Sequence, residues 1–355
     1  MVAYFFVNLR WDREEAVLAK LKRIDYTGNL ILIASTVSVL IALTWAGPIY
    51  PWSDARILSP LLIGLAGLAG FLAYEASGIP REPVMPLRLF PSRTAVIIYV
   101  NTFLSNILIF WCFFFFPLYF QAVQLSSPAR SGVQLLPVTL ITIPAAAVSA
   151  ALLTRIGRFK VLHVVGLTLQ AAGIGLIALL RVDSPTYAWV LIQVVPSIGT
   201  GLLVNTLLPA FQACLAEADQ AAATGSWCFV RTFGQVWGVA VAGVAFNSYT
   251  QRYAASSIPE SETALREALT SSGDAYASAT KAFVMSIPEP LRGVVRDVFL
   301  RALRNVFLIS IAFGGLALLL ALFESDVPLR KALDTEYGLE ERKGKKQKEE
   351  EAAAV

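Results

Sequence analysis

The sequence predicts an all-α polytopic membrane protein with about eight transmembrane helices. Its 355 residues are 56% hydrophobic and only 15% charged, whereas soluble domains carry about 25% charged residues. The charges are also unevenly placed, because they collect in stretches between long apolar runs. These runs reach the roughly 20 residues that a helix needs to cross a bilayer. A soluble globular enzyme is therefore excluded.

The apolar runs give the predicted spans in order. Backbone groups in lipid must bond within their own segment, so each run is expected to be a helix. A membrane barrel would show alternating segments of about 10 residues, and the sequence has none of these. The predicted spans are 28–46, 57–74, 94–120, 132–154, 161–180, 187–208, 226–246 and 306–323.

The distribution of Lys and Arg predicts the orientation of the chain. Short cytoplasmic loops carry an excess of these residues. One side of the predicted topology carries Arg10, Arg13, Lys20, Lys22, Arg23, Arg81, Arg88, Arg93, Arg155, Arg158 and Lys160, and then a basic tail. The opposite short loops carry only Arg56, Arg130 and Arg181. An even number of spans places both termini on one side, so segments 1–27 and 325–355 are expected to be cytoplasmic.

The connection at about 247–305 is the longest predicted outer loop. Between 290 and 306, apolar residues recur at helical spacing beside arginines, which is typical of an amphipathic helix at the membrane surface. We expect this helix to run into the last span, and a second, short helix near 262–269. The apolar residues of the first are Leu291, Val294, Val295, Val298, Phe299, Ala302 and Leu303.

The sequence lacks the motifs of common catalytic and metal sites. No P-loop, HExxH, CxxC or GxSxG pattern occurs, and the three cysteines are interpreted as small apolar residues. His163 is the only histidine, and we expect it to have a structural role at the membrane interface. No basic face with interleaved aromatic residues suggests nucleic-acid binding. We expect a protein that is not an enzyme, with no metal and no cofactor.

Ionisable residues are nearly absent from the predicted spans. Such residues are costly in a membrane and usually functional, and no Asp or Glu is expected inside any span. Arg231 is the one exception, with Gln235 four residues later on the same helix face. Two interpretations remain open: the arginine either reaches to the cytoplasmic headgroups or faces a water-filled path.

Uncharged polar residues also interrupt the spans. Gln193, Ser197 and Thr200 share one face of the sixth predicted helix. Such stripes either form hydrogen bonds between helices or line a cavity, and in a half-bundle we expect this stripe to be exposed. Gly234 and Gly238 are interpreted as a site of close helix packing. The candidate cavity residues are Asn101, Ser105, Asn106, Gln193, Ser197, Thr200, Asn205, Arg231 and Gln235.

Five short motifs resemble those of the major facilitator superfamily, in particular the fungal drug:proton antiporters of the fourteen-span type. They agree with that family in order and topology, and together they cover nearly the whole chain. The motifs are RIDYTGN at 23–29, EPVMPLRLF at 82–90, RIGRFK at 155–160, VRTFGQVWG at 230–238 and VPLRK at 327–331.

The resemblance implies an architecture of two linking helices (28–75) followed by the C-terminal six-helix bundle (94–324). The family's N-terminal six-helix half, with its proton-coupling region, would then be missing. The loop residues Arg155, Arg158 and Lys160 match the family's cytoplasmic latch. The acidic residue of the full latch motif is absent, which weakens that role.

By this resemblance, the expected function is proton-coupled efflux of drugs, toxins or secondary metabolites. The partners would be the lipid bilayer, an amphiphilic small molecule, and protons carried through the missing half. The plasma membrane is the expected location, with the vacuolar membrane as an alternative. Two other functions remain open: a siderophore or nutrient permease of the same superfamily, and a membrane scaffold that does not transport.

Overall fold

Long apolar helices make up most of the structure, as the sequence predicts. The computed structural model describes residues 24–46, 49–80, 83–270 and 275–328. Within these ranges, 8 helical segments are long and apolar enough to cross a membrane. The helices are α1 (Tyr26–Trp45), α2 (Ala55–Ala76), α3 (Arg93–Leu118), α4 (Pro128–Gln134), α5 (Leu136–Ile156), α6 (Lys160–Ile177), α7 (Thr186–Val204), α8 (Leu207–Ala213), α9 (Gln220–Ser257), α10 (Thr263–Thr270), α11 (Ala275–Ser278), α12 (Lys281–Ser286) and α13 (Leu291–Leu322).

Short polar side chains set the beginnings of the first three spans. Asp25 caps α1 by accepting a hydrogen bond of 2.8 Å from the backbone N–H of Gly28. Asp54 and Ser92 cap α2 and α3 in the same way. These caps satisfy N–H groups that the first turn of a helix leaves without partners. At the other end of α5, Gly157 adopts φ 67°, a left-handed conformation that glycine tolerates.

Six spans pack into a bundle built from two triples of helices. The first triple is α3, α5 and α6, and the second is α7, α9 and α13. The first helix of each triple packs on the second helix of the other, so α3 lies on α9 and α7 lies on α5, while the third helices, α6 and α13, pack on each other. The contacts that the first triple makes with the second therefore match those that the second makes with the first, so the arrangement of contacts is approximately two-fold.

Small residues allow these helices to approach closely. A Cβ added at Gly234 would lie 2.5 Å from the carbonyl oxygen of Phe103, and one at Gly238 would collide with the carbonyl oxygen of Ile107. The sequence-based interpretation of these two glycines as a packing site for neighbouring helices is confirmed. Such contacts matter because lipid gives apolar helices little reason to associate, and packing must hold them together.

The remaining pair of spans, α1 and α2, packs chiefly on itself, and α1 also contacts α9. At one end of this pair the Glu75 carboxylate accepts hydrogen bonds from the backbone N–H groups of Val84 and Met85, at 3.1 and 3.0 Å. The hydroxyl of Tyr74 reaches Asp25 Oδ1 at 3.4 Å. Both Asp25 and Glu75 are buried, so these acids anchor the segments before α1 and after α2.

The predicted outer loop is more helical than expected. The short helix near 262–269 is confirmed as α10, and the helix expected after residue 290 runs into the last span, as predicted. It is the first half of the 32-residue helix α13. Its apolar face is covered by protein, with Phe299 stacked on Phe246 at 6.1 Å and Arg296 Nε donating to the Val123 carbonyl oxygen at 2.9 Å.

Two parts of the predicted organisation lie outside the described residues. They are the charged N-terminal segment up to residue 23 and the tail from residue 329 onward. The described helices belong to one unit, Asp25–Leu329.

We predict that the end of the bundle carrying Ser77 faces the cytoplasm. Ser53 and Ser77 are exposed at opposite ends of α2, so they form a matched pair on one helix. In a background without native cysteines, Ser53→Cys should react with a membrane-impermeant maleimide applied outside intact cells. Ser77→Cys should react only after the cells are made permeable, and the reverse pattern would reject the orientation.

We also predict opposite responses from two neighbouring glycines of α13. A Cβ at Gly314 would collide with that of Ala171 on α6, whereas one at Gly315 would meet nothing within 4 Å. Overpacking typically costs about 1–3 kcal/mol, so Gly314→Ala should lower the thermal unfolding midpoint in detergent. Gly315→Ala should leave it unchanged, and equal losses in both variants would contradict the α6–α13 contact.

Candidate functional site

The polar stripe on α7 lies inside the six-helix bundle. Gln193 and Ser197 are buried, at 0% and 1% exposure, and we had expected a half-bundle to expose them. Gln193 Nε2 donates to the carbonyl oxygens of Gln134 and Trp189, at 3.1 and 3.0 Å. Thr200 Oγ1 accepts from Gln170 Nε2 at 3.2 Å. The expectation was wrong for Gln193 and Ser197 because the groups that they donate to lie within the bundle, where hydrogen bonds inside the protein replace those to water.

The stripe borders a partly open cavity of about 130 Å³ lined by α3, α5, α6 and α7. Most of its wall is apolar, from Leu108, Ile143 and Ile174 among others, and Gln193, Ser197 and Thr200 supply the polar part. An apolar wall with a few hydrogen-bonding groups is typical of small-molecule sites, but known pockets for drug-sized ligands measure about 300–1,000 Å³. In this conformation the cavity is too small for such a ligand.

The predicted polar residues of α3 face in different directions. Asn106 lies against α9, where a Cβ added at Gly234 would be 3.2 Å from its own Cβ, and its Nδ2 donates to the Thr102 carbonyl oxygen at 2.9 Å. Ser105 faces α6, where its carbonyl oxygen accepts from Gln170 Nε2 at 3.4 Å. The three candidates on this helix, Asn101 included, are all buried. Asn101 and Ser105 are four residues apart and share one face, whereas Asn106 lies on the face toward α9.

Asn101 belongs to a polar cluster that sequence reasoning missed. Its Nδ2 donates to Glu324 Oε1 at 3.1 Å, and Glu324 Oε2 lies 2.7 Å from His163 Nδ1. The side chains of His163 and Glu324 are completely buried. His163 is expected from the sequence to have a structural role at the membrane interface, and no Asp or Glu is expected inside a span. Glu324 lies after the end of α13, and its buried contact with His163 was not anticipated.

The cluster was missed because Glu324 comes one residue after the predicted end of the last span at residue 323. The segment after α13 turns back over α3 and directs the carboxylate between α3 and α6. The available signal was the coincidence of three polar groups in apolar surroundings: the single histidine, an asparagine in a long apolar helix, and a glutamate after Leu322 and Phe323.

Arg231 lies on the outer surface of the bundle. It sits about 16 Å along α9 from Gln220, its side chain is exposed, and its guanidinium lies 5.5 Å from the centre of the Trp227 ring. Gln235 is half-buried one turn later. Asn205 is exposed at the end of α7, where its Nδ2 donates to the Ala146 carbonyl oxygen at 2.9 Å. These residues do not join the buried stripe.

The three basic residues of the predicted latch lie in and beside the turn between α5 and α6. Arg155 and Arg158 are exposed, and Lys160 is half-buried. At the same end of the bundle, Arg88 forms an ion pair of 2.8 Å with Asp219. This pair ties the loop before α3 to the loop before α9.

The geometry thus provides three separate features. One is a small, partly open cavity, the second is an exposed arginine on α9, and the third is a buried contact between His163 and Glu324 at one end of the bundle. Among the described residues, no group of three or more His, Cys, Asp or Glu side chains could hold a metal ion.

Comparison with known proteins identifies the group to which the chain is similar. Residues 6–124 match the model of the fungal trichothecene efflux pump family. The MFS-type transporter TwmF of Talaromyces wortmannii is 42% identical over 95% of this chain and 61% of its own length. The MFS-type transporter pydD of an Acremonium species is 43% identical over 98% of the chain and 61% of its own length. The efflux pump FUS6 of Gibberella fujikuroi is 39% identical over 91% of the chain and 58% of its own length.

The chain spans about three fifths of the length of these curated relatives. Each of their names describes a transporter or an efflux pump, in agreement with the expectation that the chain is not an enzyme. Over nearly its whole length, this multi-pass α-helical membrane protein is therefore similar to fungal efflux transporters of the major facilitator type.

Proposed function

We propose that the chain is part of a secondary active transporter that exports amphiphilic small molecules, such as drugs, toxins or secondary metabolites, in exchange for protons. In this proposal it supplies two linking helices and the C-terminal six-helix bundle of a fourteen-span transporter. The complementary half comes from outside these 355 residues. Both termini face the cytoplasm, and the plasma membrane is the expected location.

The two-fold pairing of α3, α5 and α6 with α7, α9 and α13 carries this proposal. Each six-helix half of a major facilitator transporter is built from two three-helix repeats of inverted topology. A bundle with this internal relation is suited to rock as one body against a second bundle, with substrate held between them. The relatives' names support export as the direction, and the trichothecene efflux family supports toxins or secondary metabolites as the substrate class.

The exposure of Arg231 supports a second bundle. A charged side chain facing hydrocarbon is costly, and charged residues within spans almost always face a protein interior or a water-filled cavity. In this chain Arg231 has neither, because its surroundings on the bundle are the exposed surface of α9 and the Trp227 ring. A complementary bundle on this face would enclose the arginine beside a midplane cavity.

We predict that joining this chain to the N-terminal half of the Talaromyces relative yields export. Yeast lacking its own efflux pumps would express the fusion, and accumulation of an amphiphilic dye and of a trichothecene would be followed. Accumulation should fall in cells with the fusion and recover when a protonophore removes the proton gradient. The chain alone should reach the membrane and leave accumulation unchanged.

Arg231 provides the matched variants. In the fusion, Arg231→Ala should reduce export at least about tenfold with normal surface expression, and Arg231→Lys should restore part of it, since an ammonium lacks the planar fork of the guanidinium. Full export by Arg231→Ala would show that the residue only reaches to headgroups. A fusion that reaches the surface but exports neither compound, or a chain that exports alone, would contradict the proposed function.

A further inference from the structure

A polar cavity lies at the end of the bundle that is expected to face outward. Its volume is about 450 Å³, which falls within the range of about 300–1,000 Å³ that is typical of ligand pockets. Its walls come from the segment after α3, from α4, from the turn before α7, and from the beginnings of α12 and α13. We call this cavity the outer cleft. It shares no lining residue with the smaller cavity beside the polar stripe of α7.

Cationic side chains from three different helices line the outer cleft. They are Arg130 of α4, Lys281 of α12 and Arg296 of α13. The lining contains one acidic side chain, that of Asp183, which leaves the wall with a formal charge of +2. Within the described ranges, none of the three cations forms an ion pair with an acid. Like charges that converge on one cavity repel each other, so the arrangement favours a bound anion.

Arg296 is oriented by the protein before any ligand arrives. Its side chain is half-buried, and its Nε donates to the Val123 carbonyl oxygen at 2.9 Å. This bond uses one of the five N–H donors of a guanidinium, so the group is held in place and keeps donors for a ligand. The planar guanidinium matches phosphate and carboxylate groups, which accept two parallel N–H···O bonds from it.

Gln134 adds a neutral hydrogen-bonding group to the same cavity. It is only 8% exposed and lines the outer cleft, and its Oε1 has no hydrogen-bond partner among the described residues. A buried polar atom without a partner is costly. Because an amide oxygen only accepts hydrogen bonds, a ligand with a hydroxyl group beside its anionic group would satisfy it.

We propose that the outer cleft binds a phosphate monoester that carries a neighbouring hydroxyl group. Such a phosphate has a charge of about −1.5 to −2 at pH 7, which balances the formal charge of the wall. In this assignment the two arginines and Lys281 bind the phosphate oxygens, and Gln134 accepts from the hydroxyl. Asp183 repels further anionic groups, so a ligand with a single phosphate is favoured over a polyphosphate.

Two sources supply this chemistry. One is a soluble compound such as glycerol 3-phosphate, and the other is a membrane lipid with the same headgroup, such as lysophosphatidate. The two compounds present the same phosphate and hydroxyl groups and differ in the acyl chain. This inference goes beyond the proposed export function and does not depend on it, because the outer cleft lies within this chain.

Lys281 provides the readout because its side chain is exposed and lines the outer cleft. The full chain in a nonionic detergent would be treated with an amine-reactive acetylating reagent, and modification of Lys281 would be followed by mass spectrometry. The reaction would contain glycerol 3-phosphate, lysophosphatidate, or sodium chloride at equal ionic strength. Lys160, at the opposite end of the bundle, is the internal control for the activity of the reagent.

Two variants separate the outer cleft from general surface charge. Arg130→Gln removes an exposed cation from the wall. Arg56→Gln is the matched control, because Arg56 is also exposed at the end expected to face outward but does not line the cleft.

At least one of the two phosphate compounds should slow acetylation of Lys281 at least about tenfold, since a bound phosphate pairs with the ammonium group. Acetylation of Lys160 should not change. Arg130→Gln should raise the concentration that gives half of the protection at least about tenfold, because hydrogen bonds between charged groups are strong. Arg56→Gln should leave that concentration unchanged.

The two compounds also identify the source of the ligand. Protection by glycerol 3-phosphate would support a soluble phosphate, and protection by lysophosphatidate alone would support a lipid headgroup. Three results would overturn the proposal: no protection by either compound, equal protection by sodium chloride, or equal effects of Arg130→Gln and Arg56→Gln.

Discussion

The structure depends on one constraint: a polar group inside a bilayer must find its partner within the protein. Gln193 donates to the carbonyl oxygen of Gln134 in α4, Ser197 donates to that of Gln193 on its own helix, and Thr200 accepts from Gln170 in α6. Glu324, which follows the end of α13 and is buried, meets the same constraint through Asn101 and His163. These bonds fix which faces of α3, α6 and α7 point inward, and the apolar faces are left for lipid or for a second protein body.

Close packing acts together with these hydrogen bonds. Glycines at the crossing of α3 and α9, and at the crossing of α6 and α13, bring backbones together where no larger side chain would fit. Dispersion contacts between closely packed atoms are individually small, but many of them act at once. The six helices are thereby held as one body.

The number and approximate positions of the spans could be predicted because long apolar runs are a strong signal. The periodicity of residues 291–303 also predicted a helix correctly, although not that protein would cover its apolar face. Two features of the candidate site could not be predicted. A stripe such as Gln193 and Ser197 specifies one face of a helix, but the sequence does not say whether that face meets lipid, cavity or another helix.

Glu324 was missed for a different reason. The chain turns back after α13 and thereby buries Glu324 beside two residues that are distant in the sequence. His163 is 161 positions away from Glu324, and Asn101 is 223 positions away. No local pattern reports such a long-range contact. The lone histidine gave a hint, because a titratable group in an apolar segment usually has a partner, but the partner was outside the predicted span.

The central claim is that the polar stripe of α7 is enclosed by this chain itself. It can be tested in one molecule that carries Ser197→Cys, keeps the exposed native Cys228 and has the other two cysteines replaced by alanine. The measurement is maleimide labelling of the folded chain in detergent, read for each peptide by mass spectrometry. We expect rapid labelling at Cys228 and labelling at position 197 only after unfolding. Equal labelling at both positions in the folded chain would contradict the account, because it would place the stripe on an open surface.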